Sequence, residues 1–169
     1  VRQYHQRGFL LLPELLDKDL LESAQANLSV DHPSAQAYFK DPDQYPLYSQ
    51  TQFSLKRFPF SSIEVNSLLV ADDILGAATQ LLGSEDIRLN KGELWAKYAG
   101  AIDYDQAFHR DFGNHTLLVP RQDQLYKELS IFIFLSDVDE QSGPTAVLPR
   151  SLTDPIAFAE MQLPEQLSF

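Results

Sequence analysis

The chain has 169 residues, 44% of them hydrophobic and 22% charged, and its 13 Lys and Arg stand against 24 Asp and Glu for a formal net charge of -11. That balance suits one globular domain with a sizeable core, and with no basic run interleaved with aromatics it lacks the electrostatic footprint of a nucleic-acid binder. Zero cysteines exclude a disulfide framework, thiolate zinc sites and cysteine nucleophiles, which leaves carboxylates and the four histidines His5, His32, His109 and His115 as strong metal ligands.

From the N-terminus, the compact apolar Phe9-Leu10-Leu11-Leu12 after Gly8 reads as a short strand stopped by Pro13. It is too short for a signal-peptide core, and no apolar run reaches the ~18 residues of a bilayer span. The expected protein is soluble and cytoplasmic, with no membrane partner. Asp17 suits the N-cap of a helix from about Lys18 to Leu28, which buries Leu20, Leu21, Ala24 and Leu28 as one stripe. Between Ser29 and Tyr48 prolines, Asn/Asp/Ser and tyrosines follow no period, which predicts an irregular segment of the kind that covers sites, with His32 solvated within it. Ser61 and Glu64 offer a capping box ahead of Val65, Leu68 and Leu69. The next helix opens on Asp72 and Asp73, whose charges meet the helix dipole rather than forming a catalytic carboxylate pair, and it ends at Gly83 in the left-handed position.

Ile87 to Tyr98 changes period to two, with Lys91, Glu93, Trp95 and Lys97 on one face and Leu94, Ala96 and Tyr98 on the other, and this predicts a strand. Gly100 to Gln106 turns the chain and delivers Ala107 to Asp111 into the next strand. The apolar run Leu129-Ser130-Ile131-Phe132-Ile133-Phe134-Leu135 has the length of a strand buried on both faces. Asp137 to Ser142 with Gly143-Pro144 then forms a turn, and Thr145 to Leu148 is a further strand closed by Pro149. Arg150 to Phe169 holds one short helical possibility. Internal repeats, low-complexity tracts and linkers are absent from the sequence.

The chemistry concentrates at His109-Arg110-Asp111. In an extended strand, residues two apart point the same way and lie ~6–7 Å apart at Cα, so His109 and Asp111 can grip one metal ion. An imidazole and a carboxylate leave most of a six-coordinate ion uncovered, as the two-histidine, one-carboxylate triad of non-haem Fe(II) oxygenases requires. A tripeptide of this kind also arises by chance, and one ligand is missing.

The order of elements carries more than the tripeptide. Gly8-Phe9-Leu10-Leu11-Leu12-Pro13 near the start, His109-Arg110-Asp111-Phe112 in the middle, and the late run from Leu135-Ser136-Asp137 through Gly143-Pro144-Thr145 to Val147-Leu148-Pro149-Arg150-Ser151 span nearly the whole chain. Together they resemble the phytanoyl-CoA dioxygenase family, including relatives such as ectoine hydroxylase. The resemblance implies a mainly β domain with N-terminal helices (α+β), a double-stranded β-helix of the jelly-roll or cupin-like type. A single domain would then span 1–169, with a helical part over about 1–85 and strands over about 86–150. It implies an enzyme that uses Fe(II), 2-oxoglutarate and O2 to hydroxylate a small organic molecule, with 2-oxoglutarate decarboxylated to succinate and CO2. Residue by residue, His109 and Asp111 match the first two iron ligands. Lys91, Glu93 and Trp95 lie on a strand whose inward positions approach the cosubstrate in relatives, with Phe132 inward from the long strand. His115 falls where relatives place residues near the substrate, or serves as a hydrogen-bond partner to the ligands.

The chain also departs from the family. Relatives continue with a second ligating histidine and an arginine for the far carboxylate of 2-oxoglutarate. Here no histidine follows His115, and Arg150 and Leu152 stand where a Pro-Gly-Ser-His element often ends. Truncation of the last barrel strands is the expected explanation, because a barrel ending near Leu148 leaves strand edges unpaired. The alternatives are a degenerate jelly-roll binding or structural module, with His115 completing the site as a further option, and a zinc-assisted hydrolase using His109, Asp111 and His115. A CoA thioester calls for a basic groove, so a small metabolite is the expected substrate. Oligomeric state leaves no trace in the sequence.

Overall fold

The apolar stripe of Leu20, Ala24 and Leu28 meets its partners in the computed structural model, which describes residues 1–45, 54–101, 107–111 and 128–156. In chain order the elements are α1 (Arg2–Arg7), α2 (Lys18–Ala26), a 3-10 helix (Leu28–Val30), α3 (Ala35–Lys40), a second 3-10 helix (Pro42–Gln44), β1 (Ser54–Arg57), α4 (Ile63–Leu69), α5 (Asp72–Leu82), β2 (Glu93–Ala96), a third 3-10 helix (Glu140–Ser142) and α6 (Arg150–Thr153). They fall into two compact units, one holding α2 to β2 with residues 131–144, the other holding α1, residues 107–111 and 128–130, and α6.

In the first unit the helices start where local chemistry satisfies their free amides. Asp17 Oδ1 accepts from the Leu20 amide at 2.9 Å, as expected for the N-cap of α2. The cap of α4 is Ser62, one residue beyond the expected Ser61. Its hydroxyl accepts from the Val65 amide at 3.2 Å and donates to Glu64 Oε2 at 2.9 Å. The shift follows from Asp31, whose carboxylate accepts the amides of both Ser61 (2.9 Å) and Ser62 (3.0 Å) and so draws the whole helix start onto a distant loop. α5 runs from Asp72 to Leu82 and ends at Gly83 in the left-handed conformation, φ 64, as the sequence predicts. Packing of α2, α4 and β2 buries Ala24, Phe60, Val65, Leu68 and Leu94, with Leu16, Leu20, Leu28, Leu69, Ile133 and Leu135 arranged around them.

β1 and β2 pair antiparallel, Leu55 opposite Trp95 and Arg57 opposite Glu93. The strand expected over Ile87 to Tyr98 is thus cut to Glu93–Ala96. After Phe58, whose amide donates to Gly92 O at 2.9 Å, the partner chain runs into Pro59, which has no N–H to continue the ladder. The predicted alternation survives inside β2, with Leu94 facing the core and Trp95 the opposite side.

Three expected strands are absent. Phe9 to Leu12 has no regular structure, and the preceding residues form α1 instead, closed by Gly8 at φ 85 with its amide on Tyr4 O at 2.7 Å. Residues 129–135 are irregular and buried on one side only: Ile133 and Leu135 pack on the core while Ile131, Phe132 and Phe134 are exposed. The Leu135 carbonyl finds its hydrogen bond in Gln25 Nε2, at 3.0 Å, rather than in a neighbouring strand. Thr145 to Leu148 is likewise irregular. Among the described residues the sheet expected over 86–150 is therefore reduced to β2, paired with β1, and to a single bridge residue, His109, in the strand expected over 107–111. The turn ending at Gly143 is present, built as a 3-10 helix in which Asp139 caps the Ser142 amide.

The segment read as irregular between Ser29 and Tyr48 contains α3, capped by Ser34, and its Tyr38 stacks on Tyr98 with ring centres 4.5 Å apart. His32, expected to be solvated, is 7% exposed, and its Nε2 donates to the Leu94 carbonyl at 3.3 Å. Burial drives the His32 pKa down, aided by Lys56, against the upward pulls of the Leu94 carbonyl and Asp31. For Asp31 burial pushes upward, yet the Ser61 and Ser62 amides, the Ser61 side chain and His32 together hold the carboxyl below its usual range.

Two outcomes follow for this unit. Both folded-state pKa values lie below the unfolded ones, so the stabilisation is complete above the unfolded histidine value, 6.5, and is lost as pH falls through the folded values, His32 first and Asp31 below 3.8. A urea midpoint measured from pH 7 to 5 should fall with pH, and His32→Gln should flatten that slope. At Gly92 a Cβ would meet Leu69 Cδ1 and, at 3.0 Å, Phe58 Cβ. Gly92→Ala should therefore destabilise by about 1–3 kcal/mol in chemical denaturation.

Candidate metal centre

The second unit places His109 and Asp111 as the i, i+2 spacing requires, side by side, with His109 Nε2 and Asp111 Oδ1 3.2 Å apart. The other ring nitrogen, Nδ1, lies 2.9 Å from the Ala107 carbonyl. A carbonyl oxygen can only accept, so Nδ1 carries the hydrogen and, in the neutral ring, Nε2 presents its lone pair toward the carboxylate. Two acceptors this close repel unless a cation sits between them, and a protonated imidazole or a bound metal ion both meet that requirement.

The geometry fits a metal. Two neighbouring ligands on an octahedral ion with bonds of ~2.1 Å stand about 3 Å apart, close to the separation of these donor atoms. The donor set, one imidazole nitrogen and one carboxylate oxygen, is the type that non-haem Fe(II) accepts, and the bond from Nδ1–H to a carbonyl is the support that ligating histidines usually carry. The side chains of His109 and Asp111 are 31% and 43% exposed, so an ion held there has room for further ligands from solution. Among the described residues there is no group of three His, Cys, Asp or Glu side chains that could hold a metal by themselves.

Among the described residues, two side chains lie beside the pair. Ser130 Oγ lies 3.5 Å from the second oxygen of Asp111, at the outer limit of a hydrogen bond. Arg110 turns away between the two ligands and donates through Nη2 to the carbonyls of Thr153 (3.0 Å) and Ile156 (3.3 Å). The element that receives it is itself tied down, since Arg150 donates to the His5 carbonyl at 3.3 Å and approaches Asp154 at 3.5 Å. None of these partners was legible in the sequence. Alternation alone puts Arg110 on the opposite face from the ligands, but its acceptors are backbone oxygens, which no residue type announces.

The remaining candidates belong to the first unit or lie outside the described residues. Lys91 pairs with Glu93 at 3.2 Å. Trp95 and Phe132, expected to face inward, are 43% and 53% exposed, because Leu94 takes the core-facing position of β2 and the run around Phe132 is buried only through Ile133 and Leu135. His115 lies outside the described residues. Among the described residues no helix is long and apolar enough to cross a membrane.

The family model described as phytanoyl-CoA dioxygenase (PhyH) matches residues 4–166. No curated protein and no solved structure matches the chain.

Proposed function

The chain belongs to the phytanoyl-CoA dioxygenase family, and from that premise we propose that it acts as a non-haem Fe(II)/2-oxoglutarate-dependent oxygenase that hydroxylates a small organic metabolite. Members of the family are in general Fe(II)- and 2-oxoglutarate-dependent oxygenases that also consume O2. The observation that carries the reading for this chain is the pair His109 Nε2 and Asp111 Oδ1, held 3.2 Å apart, the separation of two neighbouring ligands on one octahedral ion.

In this reading His109 and Asp111 hold the iron. When bound, iron with 2-oxoglutarate and O2 supplies the oxidising power: 2-oxoglutarate loses CO2 to give succinate, and the two atoms of O2 end in succinate and in the hydroxylated product. The chain's own residues do the rest. The Ala107 carbonyl keeps the His109 proton on Nδ1, so Nε2 stays available as a donor. Asp111 contributes negative charge against the ion, and the Ser130 hydroxyl beside its second oxygen favours one carboxylate orientation. Lys91 is assigned to a carboxylate of 2-oxoglutarate, for which its single positive charge is suited. Trp95 and Phe132 are assigned to the apolar walls beside the cosubstrate, where they would exclude water, and His115 to the substrate. His115 is also the candidate for the third iron ligand. The family's double-stranded β-helix is the form we assign to the working enzyme, as a single domain. A net charge of -11, without a basic cluster, favours a small metabolite over a CoA thioester as substrate.

An anaerobic titration with Fe(II) and 2-oxoglutarate tests the assignment. It should produce a weak visible metal-to-ligand charge-transfer band, with incomplete occupancy unless His115 completes the ligand set. His109→Ala and Asp111→Ala should each abolish the band and weaken Fe(II) binding by at least about 100-fold. If the wild-type chain gives neither the band nor succinate under O2, the oxygenase reading fails and a binding or structural module takes its place.

A further inference from the structure

Arg110 is half-buried, and its guanidinium reaches the end of α6. Its Nη2 donates to two carbonyls at once, Thr153 at 3.0 Å and Ile156 at 3.3 Å. Thr153 O also accepts the Ile156 amide at 3.0 Å, so both acceptors belong to one closed turn at the end of α6. The last carbonyls of a helix carry partial negative charge, which favours a guanidinium there.

We propose that Arg110 is a positioning residue that fixes the mutual placement of His109 and Asp111. The inference rests on the metal-site reading above and deepens it. In extended backbone, successive side chains project to opposite sides. Locking the middle side chain of a tripeptide therefore fixes the two peptide planes from which the outer side chains project on the other side. Residues 107–111 carry a single β-bridge, at His109, and no strand, so Arg110 and Asp111 are not held by a ladder. The two ligand side chains are 31% and 43% exposed, and packing alone leaves them free to change rotamer. A metal pair tolerates little of that motion, since productive sites need placement within about 0.5 Å. The anchor is also rigid at its far end: Arg150 joins α6 to the His5 carbonyl of α1, and beside it Gly8 leaves the space that a Cβ, 2.7 Å from Arg150 Cγ, would occupy.

The test uses the full chain and two readouts: anaerobic titration with Fe(II) alone, and nitrogen NMR of the histidine rings in the metal-free protein at fixed pH. Wild type should give His109 ring signals of one Nδ1–H form. Arg110→Met should average those signals and raise the Fe(II) dissociation constant about tenfold, while the thermal midpoint stays within a few degrees. Arg110→Lys, which keeps a cation and its donors, should restore most of both. Unchanged ring signals and unchanged affinity in Arg110→Met overturn the proposal. So does an affinity loss that only tracks the unfolded fraction and that Arg110→Lys does not relieve. If the wild-type chain binds no Fe(II), the oxygenase reading fails by itself, and the ring signals still decide whether Arg110 places His109.

Discussion

Polar backbone groups are satisfied by hydrogen bonds, and in this chain side-chain donors supply several of the bonds to carbonyls, in loops and within regular elements alike. His32 donates to Leu94, Gln25 to Leu135, Tyr98 to Pro33 and Lys97 to Gly143. In the other unit His109 donates to Ala107, Arg110 to Thr153 and Ile156, and Arg150 to His5. Where a neighbouring strand would have supplied amides, imidazole, amide, phenol, ammonium and guanidinium groups do so. Irregular segments are thereby held in defined positions without a sheet, and the candidate metal pair is one of the places so held.

The same constraint explains what could be read from the sequence. Caps and helix ends are local chemistry: Asp17 three residues before Leu20, two acids opening α5 and Gly83 closing it are visible in a short window and occur as expected. The capping serine of α4 was misplaced by one because Asp31, some thirty residues earlier in sequence, decides which amides are already taken. His32 carries no mark of its burial, since what buries it is the packing of a loop on β2. The run 129–135 has the composition of a two-faced buried strand. Composition does not say whether a partner strand lies alongside, and here α2 supplies the bond to Leu135 instead.

At the site, the informative feature was equally short in range. Two residues of separation is a property of the chain itself, so the approach of His109 to Asp111 could be foreseen, and the order of motifs along the chain identified the family. The orientation of the pair could not. Which imidazole nitrogen bears the hydrogen depends on the Ala107 carbonyl, and the fixing of Arg110 depends on carbonyls more than forty residues away. Metal chemistry is sensitive to such orientation, because a donor atom turned by one rotamer no longer meets its neighbour at a common ion.

Anchoring side chains to carbonyls divides the chain into positions of unequal freedom. An acceptor such as Thr153 contributes a backbone oxygen that every amino acid possesses, so its side chain can be exchanged without losing that bond, whereas Gly143, at φ 65, accepts a Cβ only with strain. A donor such as Arg110, Lys97 or Gln25 contributes a group that few residues can replace. Redesign of the surface around α6 can therefore proceed at the acceptor positions, provided the backbone there keeps its course, while each donor must be left in place.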